Sequence, residues 1–286
     1  MQLYIYAKSG HNFGLENIRR ASAVCNYLKD LNPILCSADY RAATYAKQTM
    51  GVEKGVGVDV IGNLPHIMER GDILIFDESG EASDTMKTHM GQFCTHLYSV
   101  GKNIPYDVVD SKYFEPSKQK YEKAIFFADD DYNHWFFNLC KESKKQDIPL
   151  LLGHYFFLGD EDILKDYFSD IYEDEEYEEI VKNTKYLLTS SVHTALESLS
   201  SGNNPVYFKR EDKDNIENIG LLDKYNIPII ETTSLDNIIL EFEKIVENYP
   251  TVNKLEQFDF TNIYNTIKDT LEKYAHIKPS LEYKNL

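Results

Sequence analysis

Short apolar runs alternate with amphipathic segments along most of the chain. Leu3–Ala7 and residues 72–76 (DILIF) have the length and composition of buried strands, and polar residues and glycine follow each run. Residues 18–28 place apolar side chains at i, i+3, i+7 and i+10, on one face of a helix. Buried strands that alternate with helices are typical of a parallel sheet with helices on both faces. The pattern therefore predicts an α/β fold.

A polar stretch at 112–122 interrupts this alternation. It contains Pro116 and shows no clear periodicity, so we place a domain boundary there. The sequence thus predicts an N-terminal Rossmann-like domain over residues 1–115 and a C-terminal Rossmann-like domain over residues 123–286, facing one another. An amphipathic helix beyond Pro250 ends the second series, and we expect it to cross back to the first domain.

Three further patterns complete the prediction of elements. Residues 55–61 alternate Val and Gly and indicate a third strand, and residues 108–109 indicate a short one. The acidic segment 160–182 indicates helix. The run EDEEYEE at 173–179 within it is interpreted as a solvated face.

The charge balance bears on the choice of partner. Acidic residues outnumber basic ones by 47 to 30, which gives a formal net charge of −17. Nucleic acid and anionic membrane surfaces are recognised through basic patches, so we expect neither as a partner. Small ligands and a protein partner remain open. No stretch approaches the roughly 18 consecutive apolar residues of a membrane helix, so we expect no membrane span.

The N-terminus and the cysteines indicate a cytoplasmic protein. The chain runs straight into a strand, without the charged and apolar regions of a signal peptide. Cys25, Cys36, Cys94 and Cys140 are scattered, form no C-x-x-C pair, and fit buried thiols in a reducing compartment. We expect neither a bound metal nor a cofactor.

The segment 180–208 holds the most informative motif. A strand (YLLT) leads into Ser190 and Ser191, a helix begins near Thr194, and Gly202 ends that helix before the next strand. A strand followed by small hydroxyl residues and a helix N-terminus presents backbone N–H groups and a positive dipole end to a phosphate. The motif therefore predicts an anion site.

Glu197 lies one turn into that helix, where its carboxylate can accept hydrogen bonds from ribose hydroxyls. The whole arrangement resembles the donor site of glycosyltransferases with two facing Rossmann-like domains, the GT-B fold. The matching positions are Ser190, Ser191, His193, Thr194, Glu197 and Gly202, with Pro205 one residue later than usual. The resemblance implies that these residues bind a nucleotide sugar. The alternative is that the serines only cap a helix and that Glu197 is a surface carboxylate.

The loop SGHNFGLENIRR, residues 9–20, lies between the first strand and the first helix, where open α/β sheets build their sites. It is similar to the Gly-x-Gly-His-x-x-Arg loop of the nucleotide-sugar hydrolases of pseudaminic and legionaminic acid synthesis. The match consists of Gly14, Ile18 and Arg20. The resemblance extends to the length and layout of the whole chain.

The departures from that loop concern catalysis. Glu16 and Asn17 stand where the hydrolases have their second glycine and their catalytic histidine. An amide cannot take up a proton as an imidazole does. His11, earlier in the loop, is the remaining candidate base.

Acidic residues follow two other predicted strands. Asp77 and Glu78 follow the DILIF strand at its C-terminal end. They either position or deprotonate an attacking water, or Asp77 caps a helix or the pair forms a turn. Asp129–Asp131 follow the strand at 124–128. They either cap the next helix or resemble the metal-binding Asp-x-Asp of the other glycosyltransferase fold, GT-A. Their place in the chain fits the GT-A fold poorly and favours the cap.

These observations indicate a nucleotide-sugar-dependent glycosyltransferase or nucleotide-sugar hydrolase-like protein of surface-glycan or flagellin-sugar synthesis, with a UDP-sugar as its ligand. The candidate substrate-binding residues are Gly14, Arg20, Ser190, Ser191, His193, Thr194 and Glu197, and the candidate catalytic residues are His11, Asn17 and Asp77. The alternative is a catalytically silent relative that keeps the fold as a scaffold or binding protein. The missing loop histidine and the acidic charge favour that alternative.

Overall fold

The computed structural model describes residues 1–77, 83–157, 159–213 and 218–282. The chain separates into two compact units, each built on one parallel sheet. Unit 1 comprises Met1–Lys8, Asn17–Val108 and the segment that begins at Phe258, and unit 2 comprises Ser9–Glu16 and Val109–Gln257. No helix among the described residues is long and apolar enough to cross a membrane.

The described residues of unit 1 form five parallel strands and four helices. The strands are β1 (Leu3–Ala7), β2 (Ile34–Ser37), β3 (Gly55–Gly57), β4 (Ile73–Asp77) and β5 (His96–Val100). The helices are α1 (Glu16–Tyr27), α2 (Tyr40–Thr49), α3 (Asp84–Phe93) and α10 (Thr261–Glu282), with 3₁₀ turns at Lys29–Leu31 and Ile61–His66. The strand order is β3-β2-β1-β4-β5. β1 and β4 are buried along their whole length, as expected for strands covered on both faces.

The last helix, α10, follows unit 2 in the sequence but packs in unit 1, as predicted. His96 Nε2 on β5 lies 2.9 Å from Thr270 Oγ1 on α10. The ring of Phe260, just before α10, stacks on Tyr27 with 4.6 Å between centroids. These contacts tie the C-terminal segment to the first sheet.

In the part of unit 2 that the structure describes, there are six parallel strands. They are β6 (Tyr121–Phe126), β7 (Leu150–Leu151), β8 (Ile171–Tyr172), β9 (Thr184–Thr189), β10 (Asn204–Phe208) and β11 (Ile229–Ile230). The helices are α4 (Trp135–Lys141), α5 (Asp160–Leu164), α6 (Tyr177–Asn183), α7 (Val192–Ser200), α8 (Gly220–Tyr225) and α9 (Leu235–Glu247), with 3₁₀ turns at Ser111–Phe114 and Asp174–Glu176. The strand order is β11-β10-β9-β6-β7-β8.

The two faces of the second sheet carry separate apolar clusters. Successive side chains of a strand point to opposite faces. On β6, Ala124 and Phe126 therefore join one cluster, which contains Leu196 of α7, while Ile125 joins the other, which contains Phe242 of α9. The unbroken apolar runs of the sequence follow from this burial on both faces.

Each sheet has a topological switch point. There the chain adds strands first on one side of a central strand and later on its other side. In unit 1, β2 lies on one side of β1 and β4 on the other, and in unit 2, β7 and β9 flank β6 in the same way. Parallel α/β sheets bind ligands beyond the carboxyl ends of the strands at such a switch point. The ends of β1 and β4 and the ends of β6 and β9 are therefore the places to examine for sites.

Three predicted elements differ from the structure. Within 55–61 only Gly55–Gly57 is a strand, and a 3₁₀ turn that contains Pro65 follows instead of a longer strand. Residues 108–109 are not a strand. The segment 160–182 is broken into α5, β8 and α6. The two residues of β8 are too few to show an alternation, so the sequence did not reveal this edge strand.

Gly153, just after β7, lies where two backbones approach closely. A Cβ at this position would be 2.1 Å from the carbonyl oxygen of Ala128 and 2.7 Å from backbone atoms of Asp129. Neither backbone can move without disturbing the adjacent strands β6 and β7. The glycine therefore fixes the loop after β7 against the end of β6.

We expect Gly153→Ala to lower the free energy of unfolding by about 1–3 kcal/mol or more, because the methyl group overpacks this contact. Gly220→Ala is the matched control, since a Cβ at Gly220 meets nothing within 4 Å. Chemical denaturation of both variants measures the difference. Equal denaturation midpoints would contradict the close approach.

Candidate functional site

The carboxyl end of the first sheet carries a buried arginine–carboxylate pair. Arg20 on α1 donates from Nε to Asp77 Oδ2 over 2.8 Å, and its Nη2 lies 2.7 Å from the same oxygen. Arg20 Nη2 also donates to Asn17 Oδ1 over 2.7 Å. Both partners of the ion pair are almost fully buried. The structure therefore brings three predicted site residues together at the switch point of unit 1.

This cluster fixes what Asp77 can do. Its Oδ2 already faces two nitrogens of one guanidinium, whose carbon lies 5.4 Å from the centre of the Tyr106 ring. Asn17 uses its amide oxygen to orient the same guanidinium. The arrangement is that of a rigid structural or binding arginine. Glu78, the other acidic candidate, lies outside the described residues.

Asp77→Asn is expected to lower the free energy of unfolding by about 3–5 kcal/mol, because it leaves the Arg20 charge buried without its counter-charge. Asp162→Asn serves as the control, since Asp162 pairs with Lys165 in a largely exposed bridge. Such a bridge contributes less than about 1 kcal/mol. Denaturation curves decide the matter, and comparable losses in both variants would refute the role assigned to the buried pair.

The loop Ser9–Glu16 belongs to unit 2. Gly14 adopts a φ of +69°, and a Cβ there would lie 3.1 Å from Asp130 Oδ1. The His11 ring packs 5.0 Å from the ring of Tyr155 and 6.4 Å from that of Tyr132. His11 and Gly14 thus lie with the carboxyl end of the second sheet, among aromatic rings and carboxylates.

The turn between β9 and α7 is built from hydroxyl side chains. Ser190 Oγ donates to the carbonyl oxygen of Phe127, which ties the turn to β6. Ser191 caps α7: its Oγ accepts from Thr194 N over 3.1 Å and from Thr194 Oγ1 over 2.8 Å. The predicted strand, turn and helix N-terminus are all present, at the switch point of unit 2.

Glu197 is not a surface carboxylate. The residue is 3% exposed, and its Oε2 accepts a hydrogen bond from the Tyr177 hydroxyl of α6. Tyr177 Oη also lies 2.7 Å from Thr194 Oγ1. The carboxylate is therefore held in a polar network one turn into α7. Its burial excludes the interpretation of Glu197 as a surface carboxylate.

His193 completes this group. It is 1% exposed, and its Nε2 lies 3.5 Å from Glu197 Oε1. Neither ring nitrogen has a hydrogen-bond partner among the described residues. Buried polar atoms are almost always paired, so an unpaired imidazole marks a place where a ligand or water completes the bonding.

The three aspartates after β6 have different environments. Asp131 accepts hydrogen bonds from the N–H groups of Phe136 and Phe137 in the first turn of α4, although the N-cap position itself is His134 and not an aspartate as the sequence favoured. Burial raises the pKa of Asp131, although these two N–H groups act in the opposite direction. Asp130 instead pairs with Arg210 and Lys213. Among the described residues, no group of three or more His, Cys, Asp or Glu side chains is arranged to hold a metal ion.

Sequence reasoning missed Tyr177, Arg210 and Lys213. Arg210 had a signal, since a Lys-Arg pair directly follows the predicted strand at 205–208, at the sheet edge where sites form. Tyr177 was hidden inside the acidic run at 173–179. That run is a solvated face only in part, because its single aromatic side chain is buried.

Comparisons with known proteins place this geometry in context. No protein-family model and no curated protein matches the chain by sequence. Among solved structures, UDP-GlcNAc 2-epimerase from Neisseria meningitidis, bound to UDP-GlcNAc, is similar at 12% identity and a TM-score of 0.52, over 96% of this chain and 100% of that one.

Two glycosyltransferases are also similar at lower TM-scores. The E. coli heptosyltransferase WaaC matches at 10% identity and a TM-score of 0.43, over 87% of this chain and all of that one. SnogD from Streptomyces nogalater matches at 11% identity and 0.46, over 88% and 96% of the two chains. The two parallel sheets and the likeness to the epimerase together show a GT-B-like fold with two Rossmann-like domains.

Proposed function

We propose that the protein binds a nucleotide sugar, with a UDP-sugar as the favoured ligand, through the turn between β9 and α7 in unit 2. The observation that carries this proposal is the buried group of Ser191, His193, Thr194 and Glu197 at the N-terminus of α7. Its unpaired imidazole and its fixed carboxylate lie at the switch point of a parallel sheet. Such a place suits a ligand with both phosphate and hydroxyl groups.

Each part of the group matches a part of that ligand. The N-terminus of α7 offers backbone N–H groups and a positive dipole end to a phosphate. The Glu197 carboxylate is an acceptor for ribose hydroxyls, and Tyr177 holds it in place. The epimerase of similar fold is bound to UDP-GlcNAc, which supports the same ligand class for this chain.

The reaction proposed is glycosyl transfer or hydrolysis of the nucleotide sugar, in surface-glycan or flagellin-sugar synthesis. A cytoplasmic location is proposed with it, supported by four free, buried cysteines. Transfer is favoured over hydrolysis, because Asn17 stands in the place of the hydrolase base and its amide oxygen is held by Arg20. His11 remains the candidate base in the loop Ser9–Glu16.

A catalytically silent binding protein is the second candidate, and one observation favours it. Arg20 bonds to both Asn17 and Asp77, and all three side chains are buried. Such a cluster stabilises the carboxyl end of the first sheet, which is a structural rather than a catalytic role. A catalytically silent protein of this fold binds the nucleotide sugar in unit 2 but does not convert it.

Glu197→Gln is expected to weaken UDP binding by about 1–3 kcal/mol, since the ribose hydroxyls lose a charged acceptor while the shape of the side chain is kept. Isothermal calorimetry on the full chain measures this. Glu241→Gln on the exposed face of α9 is the control and leaves the affinity unchanged. Absence of UDP binding by the wild type would refute the proposed function, and equal affinities would remove Glu197 from the site.

Release of UDP from a panel of UDP-sugars is expected to be undetectable or very slow. Loss of a general base costs about two to four orders of magnitude in rate. Asn17→His does not restore turnover by itself, because Glu16 beside it replaces a glycine. The assay is run with and without Mg²⁺ or Mn²⁺. Rapid turnover without metal would contradict this expectation and point to His11, and turnover only with metal would point to Asp129–Asp131.

A further inference from the structure

An ion pair crosses the carboxyl end of the second sheet. Arg210 comes two residues after β10 ends and Asp130 four residues after β6 ends, and β9 lies between these two strands. Arg210 Nη1 donates to the carbonyl oxygen of Asp130 over 3.1 Å, and its Nη2 lies 3.3 Å from Asp130 Oδ2. The pair therefore spans the place where β9 delivers its turn to α7.

The Asp130 carboxylate is enclosed by cations. Lys213 Nζ donates to Asp130 Oδ1 over 2.9 Å, and Arg210 Nη1 lies 3.4 Å from the same oxygen. Asp130 is 2% exposed and Arg210 is 3% exposed. Gly14 of the loop Ser9–Glu16 lies against the same carboxylate. Asp130 is thus fully bonded without any ligand.

Arg210 is held in place by its own surroundings. Its guanidinium carbon lies 4.3 Å from the centre of the Phe127 ring, and its Nε donates to Asp212 over 2.8 Å. Burial disfavours the charged form, but the hydrogen bond to Asp212 and the charge of Asp130 outweigh it and raise the pKa of Arg210. The guanidinium is therefore a permanent, positioned cation.

A guanidinium fork beside an ammonium group is the combination that binds phosphate oxygens with good geometry. Here two carboxylates take those bonds. Asp212 accepts from Nε and Nη2 of Arg210 over 2.8 and 2.5 Å. Asp130 lies against Nη1 and Nη2 and accepts from Lys213. A diphosphate at the switch point needs the same two cations, and it must displace Asp130 to reach them. The two anions are therefore alternatives for one site.

We propose that Arg210 and Lys213 form a diphosphate subsite of unit 2 and that Asp130 occupies it as an internal anion when no ligand is bound. This inference rests on the proposed nucleotide-sugar function and deepens it, because it adds a built-in competitor for the donor. The carboxylate keeps the buried Arg210 and the half-buried Lys213 paired and keeps adventitious phosphate out. Only a ligand that also gains contacts at α7 displaces it.

The test is calorimetric titration of the full chain with inorganic pyrophosphate. Asp130→Asn removes the competing charge at constant side-chain size. We expect it to bind pyrophosphate about 10- to 100-fold more tightly than the wild type, the equivalent of one charged hydrogen bond. The double variant Asp130→Asn/Arg210→Gln loses this gain.

Asp212→Asn is the matched control. It removes another carboxylate from the same guanidinium, but one that lies in the same loop as Arg210 and does not reach the β6 end. Its gain in affinity is expected to be clearly smaller. An equal gain in both variants would show a general charge effect and overturn the proposal, as would an Asp130→Asn variant that binds no more tightly than the wild type.

Two further measurements separate the possible causes of a negative result. Circular dichroism establishes that each variant is folded, and Asp130→Ser repeats the test should the asparagine variant fail to fold. UDP is titrated into the same proteins. Tighter pyrophosphate binding without UDP binding would keep the anion subsite and reject the nucleotide function, so the two proposals fail separately.

Discussion

Charged side chains that are withdrawn from water need a counter-charge close by, and both sheets depend on this requirement at their carboxyl ends. Arg20 meets Asp77 in unit 1, and Arg210 meets Asp130 in unit 2. Each pair joins the segments after two different strands, so it holds in place the loops from which a site is made. The same requirement limits the chemistry, because a carboxylate that is engaged by a guanidinium serves to hold that cation in position.

The sequence predicted a strand or helix correctly wherever a local pattern of residues was sufficient to define that element. Leu3–Ala7 has the predicted bounds, because a strand buried on both faces is a continuous apolar run. β8 did not follow, since its two residues owe their conformation to pairing with β7 rather than to their own pattern. The 3₁₀ turn over Ile61–His66 was likewise decided by Pro65 and tertiary packing.

The site residues also fall into those that a local sequence pattern predicted and those that it did not. The sequence placed Ser191, Thr194 and Glu197 on one strand–turn–helix unit, and they are indeed adjacent because they are close in the chain. Tyr177 and Arg210 reach their partners only through the strand order, which no local pattern contains. The roles of His11, Asn17 and Asp77 in catalysis remain predictions, and the contacts that the structure gives Asn17 and Asp77 are with Arg20.

The discontinuity of unit 1 has a consequence for biosynthesis. Ile263 and Ile267 of α10 are buried in unit 1, yet the ribosome makes them only after all of unit 2. Nascent chains fold domain by domain as they emerge, at about 5–20 residues per second. The surface that awaits α10 therefore stays uncovered while unit 2 is translated, and unit 2, whose loop Ser9–Glu16 has already been made, can reach its final structure first. Unit 1, to which β1 belongs, is therefore completed only after the residues of unit 2 have been translated.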